Sequence, residues 1–234
     1  MPLLRLTSGR ELHFIDEETV KANLQERGFE NDTAFIQLGH SDLEPNQYEG
    51  GLKVWECTKI LCDFIEDNAE RFQGKSVLEL GCGSALPAIL SKEIGAEEVA
   101  AQDFNSSVID CFTLDNVLAN GLSKGSLKLM AASWVDLPGQ LSNKSFDIVI
   151  ASETIYNTSN YEAFHLAIDH SLKEDGVAWI VAKEFYFGLG GSAFVFLDFV
   201  KSKGIFKGEI IDPPRRGNDS EQGYAKVIIQ LTRR

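Results

Sequence analysis

The chain is poor in cysteine, in histidine and in positive charge, and each shortage excludes a class of protein. Its four cysteines and four histidines among 234 residues show neither the spacing of zinc ligands nor the density of a disulfide-rich secreted domain, so we expect reduced thiols and no metal site. Basic residues number 22 against 35 acidic ones, a formal net charge of −13. So acidic a chain is not expected to bind nucleic acid directly. The acidity favours either a basic protein partner or merely a soluble surface.

Long apolar runs are missing as well. No run reaches the about 18 residues of a membrane-spanning helix, and the first residues lack the apolar region of a signal peptide. We therefore expect no association with a membrane. Hydrophobic residues make up 44% of the chain and charged residues 24%, as in a globular protein. The length suits one α/β domain with a full core.

A tight Gly-x-Gly turn is the most informative feature that is present. An aliphatic run from Ser76 enters this turn at Gly81 and Gly83, and a helix pattern follows at once. Such a strand–turn–helix segment is typical of nucleotide- or nucleoside-binding sites. Leu86 replaces the third glycine of a dinucleotide motif, and the acid Glu79 stands before the turn. A pyrophosphate disfavours a nearby anion, whereas S-adenosylmethionine has a sulfonium and an ammonium but no phosphate.

A second acid strengthens this interpretation. Residues 98–103 have the pattern of a short strand that ends in Asp103, about 20 residues beyond the turn, where a carboxylate is placed to bind the two ribose hydroxyls of a nucleoside. Together the turn, Glu79 and Asp103 predict S-adenosylmethionine as the cofactor. The alternative is an ordinary crossover whose glycines only allow close packing. An NAD oxidoreductase is disfavoured because the third glycine is missing.

Strand and helix patterns alternate from residue 56 onward. This alternation predicts an α/β fold with a doubly wound, mostly parallel, Rossmann-like sheet of seven strands and an antiparallel terminal hairpin. Residues 1–47 are predicted to form an N-terminal segment that packs on or caps the substrate side, and residues 48–234 the cofactor-binding domain. A first short helix is predicted from its cap, Asp16, through Arg27. The other helices are predicted at 56–72, 86–94, 106–118, 160–172 and 193–203, the last ended by Gly204. The strands are predicted at 76–80, 99–102, 126–131, 146–151, 177–182, 209–211 and 224–231, with 212–219 as the hairpin loop.

Polar side chains follow several of these strands, at the edge where a ligand should bind. Ser133 and Trp134 follow the third strand, so Trp134 is predicted to lie against adenine and Ser133 to bind its exocyclic group. The alternative for Trp134 is core packing. Glu153 and Tyr156 follow the fourth strand and are three residues apart, which places them on one face of a helix. Glu153 is predicted to orient a nucleophile or accept a proton. The alternatives are a helix cap for Glu153 and a half-buried core position for Tyr156.

Four segments resemble the protein-histidine N-methyltransferases, the family of the histidine protein methyltransferase 1 homologues, within the seven-β-strand S-adenosylmethionine-dependent (class I) methyltransferases. They are Tyr-Glu-Gly-Gly-Leu-Lys-Val-Trp-Glu-Cys-Thr at 48–58, Gln-Asp-Phe-Asn at 102–105, Ser-Glu-Thr-Ile-Tyr-Asn at 152–157 and Tyr-Phe-Gly-Leu-Gly-Gly at 186–191. The resemblance spans residues 45–231. It implies methylation of a histidine in a large-subunit ribosomal protein, a monomer, and a location in the cytoplasm and nucleus.

The predicted site follows from these segments and the strand ends. Glu153 is the carboxylate expected to support the imidazole, and Tyr156, Tyr186 and Asn157 complete the predicted catalytic set, with Tyr186 and Asn157 positioning the ring. The predicted cofactor-binding residues are Val54, Trp55, Glu56, Glu79, Gly81, Gly83, Gln102, Asp103, Phe104, Asn105, Ser133, Trp134 and Ser152.

Three other functions stay open at this point. A lysine methyltransferase of the same fold would have to deprotonate an ammonium with a pKa of about 10.4. A small-molecule methyltransferase would close a compact apolar pocket over its substrate. A non-catalytic protein of this fold that only binds a partner would not need the glycine turn together with Glu79 and Asp103.

Overall fold

The computed structural model describes residues 1–38, 44, 47–211 and 225–234. The predicted hairpin loop at 212–219 lies outside these ranges, as do 39–43 and 45–46. Within them, no helix is long and apolar enough to cross a membrane. The same residues contain no group of three or more histidine, cysteine, aspartate or glutamate side chains that could hold a metal ion. All four cysteines are buried free thiols.

The N-terminal residues form a small hairpin and two helices that pack on the outside of the domain. Asp16 caps the first helix by accepting a hydrogen bond from the backbone N–H of Thr19, as its position before an acidic first turn predicts. The amide oxygens of Asn120 and Asn116 accept the backbone N–H groups of His13 and Ile15 at 2.8 and 2.9 Å. The domain division at residue 47 and the capping of the substrate side stay predictions. The elements are β1 (Leu3–Arg5), β2 (Glu11–His13), α1 (Glu17–Glu26) and α2 (Thr33–Gln37).

A seven-stranded sheet organises the rest of the described chain. Its order is β5-β4-β3-β6-β7-β9-β8. The first five strands in this order are parallel, and β9 is antiparallel to both of its neighbours. The predicted doubly wound sheet with an antiparallel terminal hairpin is therefore confirmed. The strands are β3 (Ser76–Leu80), β4 (Glu98–Asp103), β5 (Lys128–Ala131), β6 (Phe146–Ser152), β7 (Leu172–Lys183), β8 (Phe206–Ile211) and β9 (Lys226–Arg233).

Helices cover both faces of the sheet because successive strand residues point to opposite sides. Val77 of β3 belongs to a buried apolar cluster with α3 and α5, whereas its neighbour Leu78 belongs to one with α8 and α9. The chain order reverses between β3 and β6, which opens a crevice beyond their carboxyl ends. The helices are α3 (Glu56–Asp67), α4 (Ala69–Phe72), α5 (Leu86–Glu93), α6 (Ser106–Val108), α7 (Leu114–Ala119), α8 (Tyr161–Ser171) and α9 (Ala193–Lys203).

The helix predicted over 106–118 has a break in its middle. A π-helical turn, Ile109–Thr113, separates α6 from α7. Such a turn contains one more residue than an α-helical turn and shifts the phase of everything after it. The apolar pattern of this helix predicts that Val108, Ile109, Phe112 and Leu118 share one face. For Leu118 this prediction is wrong, because it is 49% exposed and Val117 is buried instead.

Two other predicted boundaries differ from the structure. The helix expected over 56–72 is interrupted at Asn68, which ends α3 and precedes α4. The strand expected from residue 177 begins already at Leu172, and its pairing with β6 shifts register before Val177. Gly176 lies in this irregular stretch, where an added Cβ would come within 2.9 Å of the Asp147 carbonyl oxygen.

Asp147 of β6 forms hydrogen bonds with Ser76 at the start of β3. Its Oδ2 accepts hydrogen bonds from the backbone N–H and hydroxyl of Ser76 at 2.9 and 2.6 Å, and Lys173 Nζ lies 3.0 Å away. Although burial opposes ionisation, these contacts lower the pKa of Asp147 to about 2. Because the folded-state pKa lies below the unfolded value of about 3.9, the carboxylate stabilises the fold above that pH and loses its effect as the pH falls toward 2.

Asp147→Asn is therefore expected to lower the free energy of unfolding by about 2 kcal/mol at neutral pH. Urea denaturation of the wild type and the variant measures this difference, which should shrink as the pH falls through the range of the two pKa values. A difference that stays constant with pH would show that the carboxylate's charge does not contribute.

Candidate active site

A cavity of about 320 Å³ opens at the carboxyl ends of β3, β4, β6 and β7. Its walls come from the strand ends, from residues 49–58 before and within α3, and from the loop after β7. Of the predicted site residues, twelve line it: Trp55, Gly81, Gly83, Gln102, Asp103, Phe104, Ser133, Trp134, Ser152, Glu153, Tyr156 and Tyr186. Five predicted residues are not among the lining residues: Val54, Glu56, Glu79, Asn105 and Asn157.

The glycine turn brings backbone to the floor of this cavity. Gly81 and Gly83 have φ values of 64° and 46°, a region that favours glycine. A Cβ on Gly83 would lie 2.9 Å from the carbonyl oxygen of Gly51. The turn and the segment around Gly51 therefore approach more closely than side chains would permit.

Asp103 presents its carboxylate beside this turn. Its Oδ2 accepts the backbone N–H of Gly83 at 2.9 Å, and its Oδ1 accepts that of Asn105 at 3.3 Å. Burial raises the pKa of Asp103, although these backbone hydrogen bonds oppose the rise. The side chain is thereby fixed in one orientation at the tip of β4, as the prediction for a ribose-binding acid requires.

Glu79 is not among the cavity-lining residues, unlike an acid that faces a ligand. It is only 1% exposed, and its Oε2 accepts the backbone N–H of Ala88 in the first turn of α5 at 2.9 Å. Burial raises its pKa well above the ordinary value. Glu79 therefore holds the start of the helix behind the glycine turn, and a direct contact with a cofactor stays a prediction.

Gln102 links the turn to the wall formed by Trp134. Its side-chain oxygen accepts the backbone N–H of Gly81 at 3.2 Å and the indole N–H of Trp134 at 3.0 Å. Trp134 also packs on Phe164 with ring centroids 4.7 Å apart, so it joins the core as well as lining the cavity, and its position against adenine stays a prediction. The Ser133 hydroxyl donates to Asp136 at 2.6 Å, and its predicted contact with adenine is not tested.

Glu153 has the most unusual backbone of the site. Its φ is +56°, which is uncommon for a residue other than glycine and is often found at functional sites. The residues that follow are irregular, so the prediction that Glu153 and Tyr156 share a helical face is wrong. The positive φ at Glu153 prevents a helix from starting there. The first helical turn begins at Thr158 and is capped by Asn157 instead.

The Glu153 carboxylate retains unused hydrogen-bonding capacity. Its side chain is 9% exposed, and Oε1 lies 3.8 Å from Lys183 Nζ. That oxygen is buried and accepts no hydrogen bond from any residue that the structure describes. A buried carboxylate oxygen that accepts no hydrogen bond is costly, so its position at the cavity wall favours a ligand group that donates to this carboxylate.

Two tyrosines form an aromatic wall near Glu153. The Tyr156 and Tyr186 ring centroids are 6.2 Å apart at 66°. The Tyr156 hydroxyl donates to Glu49, and the Tyr186 hydroxyl accepts the backbone N–H of Lys183 at 3.2 Å. Burial, together with Glu49 beside Tyr156 and Glu153 beside Tyr186, raises the pKa of both phenols. Both are therefore neutral at physiological pH.

The loop after β7 is fixed to Tyr156 by close backbone contact. Gly191 donates its N–H to the Tyr156 carbonyl oxygen at 2.8 Å. A Cβ at Gly191 would lie 2.2 Å from the Ile155 carbonyl oxygen, so only glycine fits. This contact positions Tyr186 and Leu189 at the cavity. Asn157 is not among the cavity-lining residues. Its side-chain oxygen instead accepts a hydrogen bond from the Ser159 N–H at 3.0 Å.

Several lining residues were not predicted from the sequence. Lys183 follows the strand-end rule that selected Glu153, and that rule could have identified it. Glu49, Gly50, Gly51 and Lys53 lie in the segment whose resemblance was noted at 48–58. Thr58, Thr154 and Leu189 likewise lie in the segments that carry the resemblance, and Cys82 is the middle residue of the Gly-x-Gly turn. The remaining ones carry no distinct sequence signal: Ser84, Val135, Asn160 and Ala163.

The residues present fit S-adenosylmethionine. The cavity is lined by three carboxylates, those of Glu49, Asp103 and Glu153. It is also lined by two ammonium groups, those of Lys53 and Lys183. This balance favours a ligand with cationic groups and disfavours a pyrophosphate. Asp103, with its orientation fixed by the turn, is the group that would hold a ribose.

Comparison with known proteins identifies relatives of the chain. A family model described as lysine methyltransferase matches residues 41–186. A histidine protein methyltransferase 1 homologue of Rattus norvegicus is 38% identical over 223 residues, which cover 82% of this chain and 59% of the rat protein. The histidine protein methyltransferase 1 of Schizosaccharomyces pombe is 31% identical, covering 81% of this chain and 69% of that protein. The chain thus spans less than two thirds of the rat relative.

A solved structure shares the fold at low sequence identity. The ribosomal protein L11 methylase of Lactobacillus delbrueckii superposes with a TM-score of 0.56 at 18% identity, covering 83% of this chain and 90% of that one. At this identity the match supports the fold alone. The sequence relatives bear the names that the motif resemblance anticipated, and the resemblance is confirmed.

Proposed function

Because the chain belongs to the lysine methyltransferase family and, within it, groups with the histidine protein methyltransferases 1, we propose that it methylates a histidine imidazole in a protein. S-adenosylmethionine is the cofactor that this membership implies, and when bound it supplies an electrophilic methyl group on a sulfonium. The observation that carries the proposal is the buried Glu153 carboxylate oxygen, Oε1, at the wall of the same cavity, which accepts no hydrogen bond from the described residues.

Glu153 would orient the substrate imidazole by accepting a hydrogen bond from the ring N–H. A neutral imidazole has one N–H donor and one nitrogen with a free lone pair. The carboxylate accepts the N–H, which fixes the tautomer and leaves the other nitrogen to attack the methyl carbon. It would also offset the positive charge that develops on the ring as the new N–C bond forms and the bond between the methyl carbon and sulfur breaks, with the leaving group departing as a neutral thioether. The N–H proton of the methylated ring would then pass to Glu153 and on to solvent. Tyr156 and Tyr186 confine the ring, so that the reaction depends chiefly on alignment.

The second candidate is lysine methylation, which the description of the matching family model favours. A lysine ammonium must lose its proton before it can attack, and its ordinary pKa is about 10.4. The raised pKa values of Tyr156 and Tyr186 exclude them as phenolate bases at neutral pH. A histidine with an ordinary pKa of about 6.5 needs no such base. The described cavity therefore supports histidine better than lysine.

We propose a basic protein as the partner and, as the resemblance implies, a large-subunit ribosomal protein. The net charge of −13 would attract such a protein over a distance and repel free nucleic acid. A ribosomal protein is made in the cytoplasm and assembled in the nucleus, so both compartments are proposed for this chain. The proposed acting species is the monomer.

The product identifies the function. The protein is incubated with methyl-labelled S-adenosylmethionine and extract from cells that lack it, and the labelled protein is hydrolysed to amino acids. We expect methylhistidine, with a rate that rises as the acceptor loses its proton and levels off above about pH 7. Labelled methyl-lysine, with a rate that climbs toward pH 10, would contradict the proposal and favour the second candidate.

A further inference from the structure

We propose that Lys183 selects the acceptor: its ammonium beside Glu153 favours a neutral imidazole and repels a lysine ammonium. The inference rests on the proposed function and specifies how the site distinguishes two acceptors within one family. Lys183 is the last residue of β7, and it lines the cavity. Its Nζ lies 3.8 Å from Glu153 Oε1.

Glu56 holds Lys183 in this position and separates it from Lys226. Lys183 and Lys226 face each other in the register of β7 and β9, an arrangement in which like charges repel. Glu56 Oε2 lies 3.5 Å from Lys183 Nζ and 3.2 Å from Lys226 Nζ. It therefore bridges the two ammonium groups. The four side chains Glu56, Glu153, Lys183 and Lys226 form a cluster of two positive and two negative charges, which we call the charge cluster.

At the cavity wall, the ammonium of Lys183 offsets the negative charge of Glu153, whereas Glu56 and Lys226 are not among the lining residues. Two further titratable groups of the described chain interact with Glu153, namely the thiol of Cys57 and the phenol of Tyr186. Burial raises the pKa of both, with Glu153 adding to the rise, so both are neutral. Glu153 still accepts a hydrogen bond from a neutral donor. An incoming lysine would instead bring a second ammonium close to Lys183 and to the cationic sulfonium, in a partly buried site where repulsion is weakly screened.

The test compares Lys183→Met with two matched variants. Lys183→Arg keeps the charge, and Lys226→Met removes the other ammonium of the charge cluster, which is not among the cavity-lining residues. Each protein is incubated with labelled S-adenosylmethionine and extract from cells that lack the enzyme, and labelled methyl-lysine and methylhistidine are quantified after hydrolysis. Cofactor affinity and thermal unfolding confirm that each variant is folded, and Lys183→Gln replaces Lys183→Met should that variant fail to fold.

We expect Lys183→Met to raise the ratio of methyl-lysine to methylhistidine by about tenfold. Lys183→Arg and Lys226→Met should keep the wild-type ratio. An unchanged ratio in folded Lys183→Met, an equal shift in Lys226→Met, or loss of both products in folded Lys183→Met would each overturn the inference. A wild type that forms mainly methyl-lysine would instead refute the proposed function, so the two failures are distinguishable.

Discussion

Asp103→Ala is expected to bind S-adenosylmethionine on the order of tenfold to a hundredfold more weakly than the wild type while remaining folded. The carboxylate is fixed by the backbone N–H groups of Gly83 and Asn105, so it is already oriented before a ribose arrives. Hydrogen bonds to a charged acceptor contribute roughly 1.5–3 kcal/mol each, which corresponds to this loss of affinity. Titration calorimetry of the purified proteins measures the dissociation constants directly.

Two further variants serve as comparisons: one removes only the charge of Asp103, and the other is a control for the loss of an acid elsewhere. Asp103→Asn keeps one oxygen to accept the backbone N–H groups but loses the negative charge, so its affinity should fall between those of the wild type and Asp103→Ala. Asp198→Ala removes an exposed acid from α9 and should leave the affinity unchanged. A folded Asp103→Ala that binds the cofactor as tightly as the wild type would refute the assignment of this acid.

The parts of the fold that the sequence predicted correctly are those with local causes. Asp16 caps α1 through its own side chain, and Gly204 ends α9 with a φ of 74°. Both signals act within a few residues of the helix end. The strand before Gly81 is buried at every position, and the strand ending in Asp103 is buried at all but its first; both contain a run of apolar residues, as is typical of strands buried on both faces.

The π-helical turn was not predictable because its causes lie far away in the sequence. Thr113 donates its hydroxyl to the Gly83 carbonyl oxygen at 2.6 Å. Asn116 donates to the Ser84 carbonyl oxygen at 3.1 Å and accepts the Ile15 N–H at 2.9 Å. These contacts join the helix to the glycine turn and to the N-terminal segment. The 3.6-residue periodicity that predicts a helix contains no information about the glycine turn or the N-terminal segment.

In the candidate site, too, features with local causes were predicted and features that depend on distant residues were not. Asp103 and Glu153 were predicted because each follows a strand, and the strand ends of a parallel sheet meet at one edge. The pairing of Glu49 with Tyr156 joins residues that are distant in sequence, so only the folded chain shows it. Similarly, Glu79 was identified as important from its place before the turn, whereas its actual partner, the start of α5, depends on how the helix returns over the strand.

Glu153→Gln is expected to lower kcat for methyl transfer on the order of a hundredfold while leaving S-adenosylmethionine affinity unchanged. The amide can still accept a hydrogen bond, but it carries no charge to offset the positive charge that develops on the acceptor, an effect worth about 10²–10⁴ for a positioned catalytic group. Gln has the same length as Glu and, like it, must adopt the positive φ of this position. The backbone strain is therefore unchanged, so a loss of rate does not come from the backbone at this position. Single-turnover rates with saturating cofactor measure it.

Glu184→Gln is the matched control, because Glu184 lies two residues before Tyr186 but is not among the cavity-lining residues. It should keep the wild-type rate and cofactor affinity. Were Glu153→Gln to transfer methyl groups at the wild-type rate, Glu153 would have only a structural role and the carboxylate-oriented imidazole would be refuted. A parallel loss of cofactor affinity and rate would instead place Glu153 in cofactor binding. The expected pattern, normal binding with slow transfer, arises only if the carboxylate acts on the acceptor, since an orienting charge is needed when the new bond forms and not when the cofactor binds.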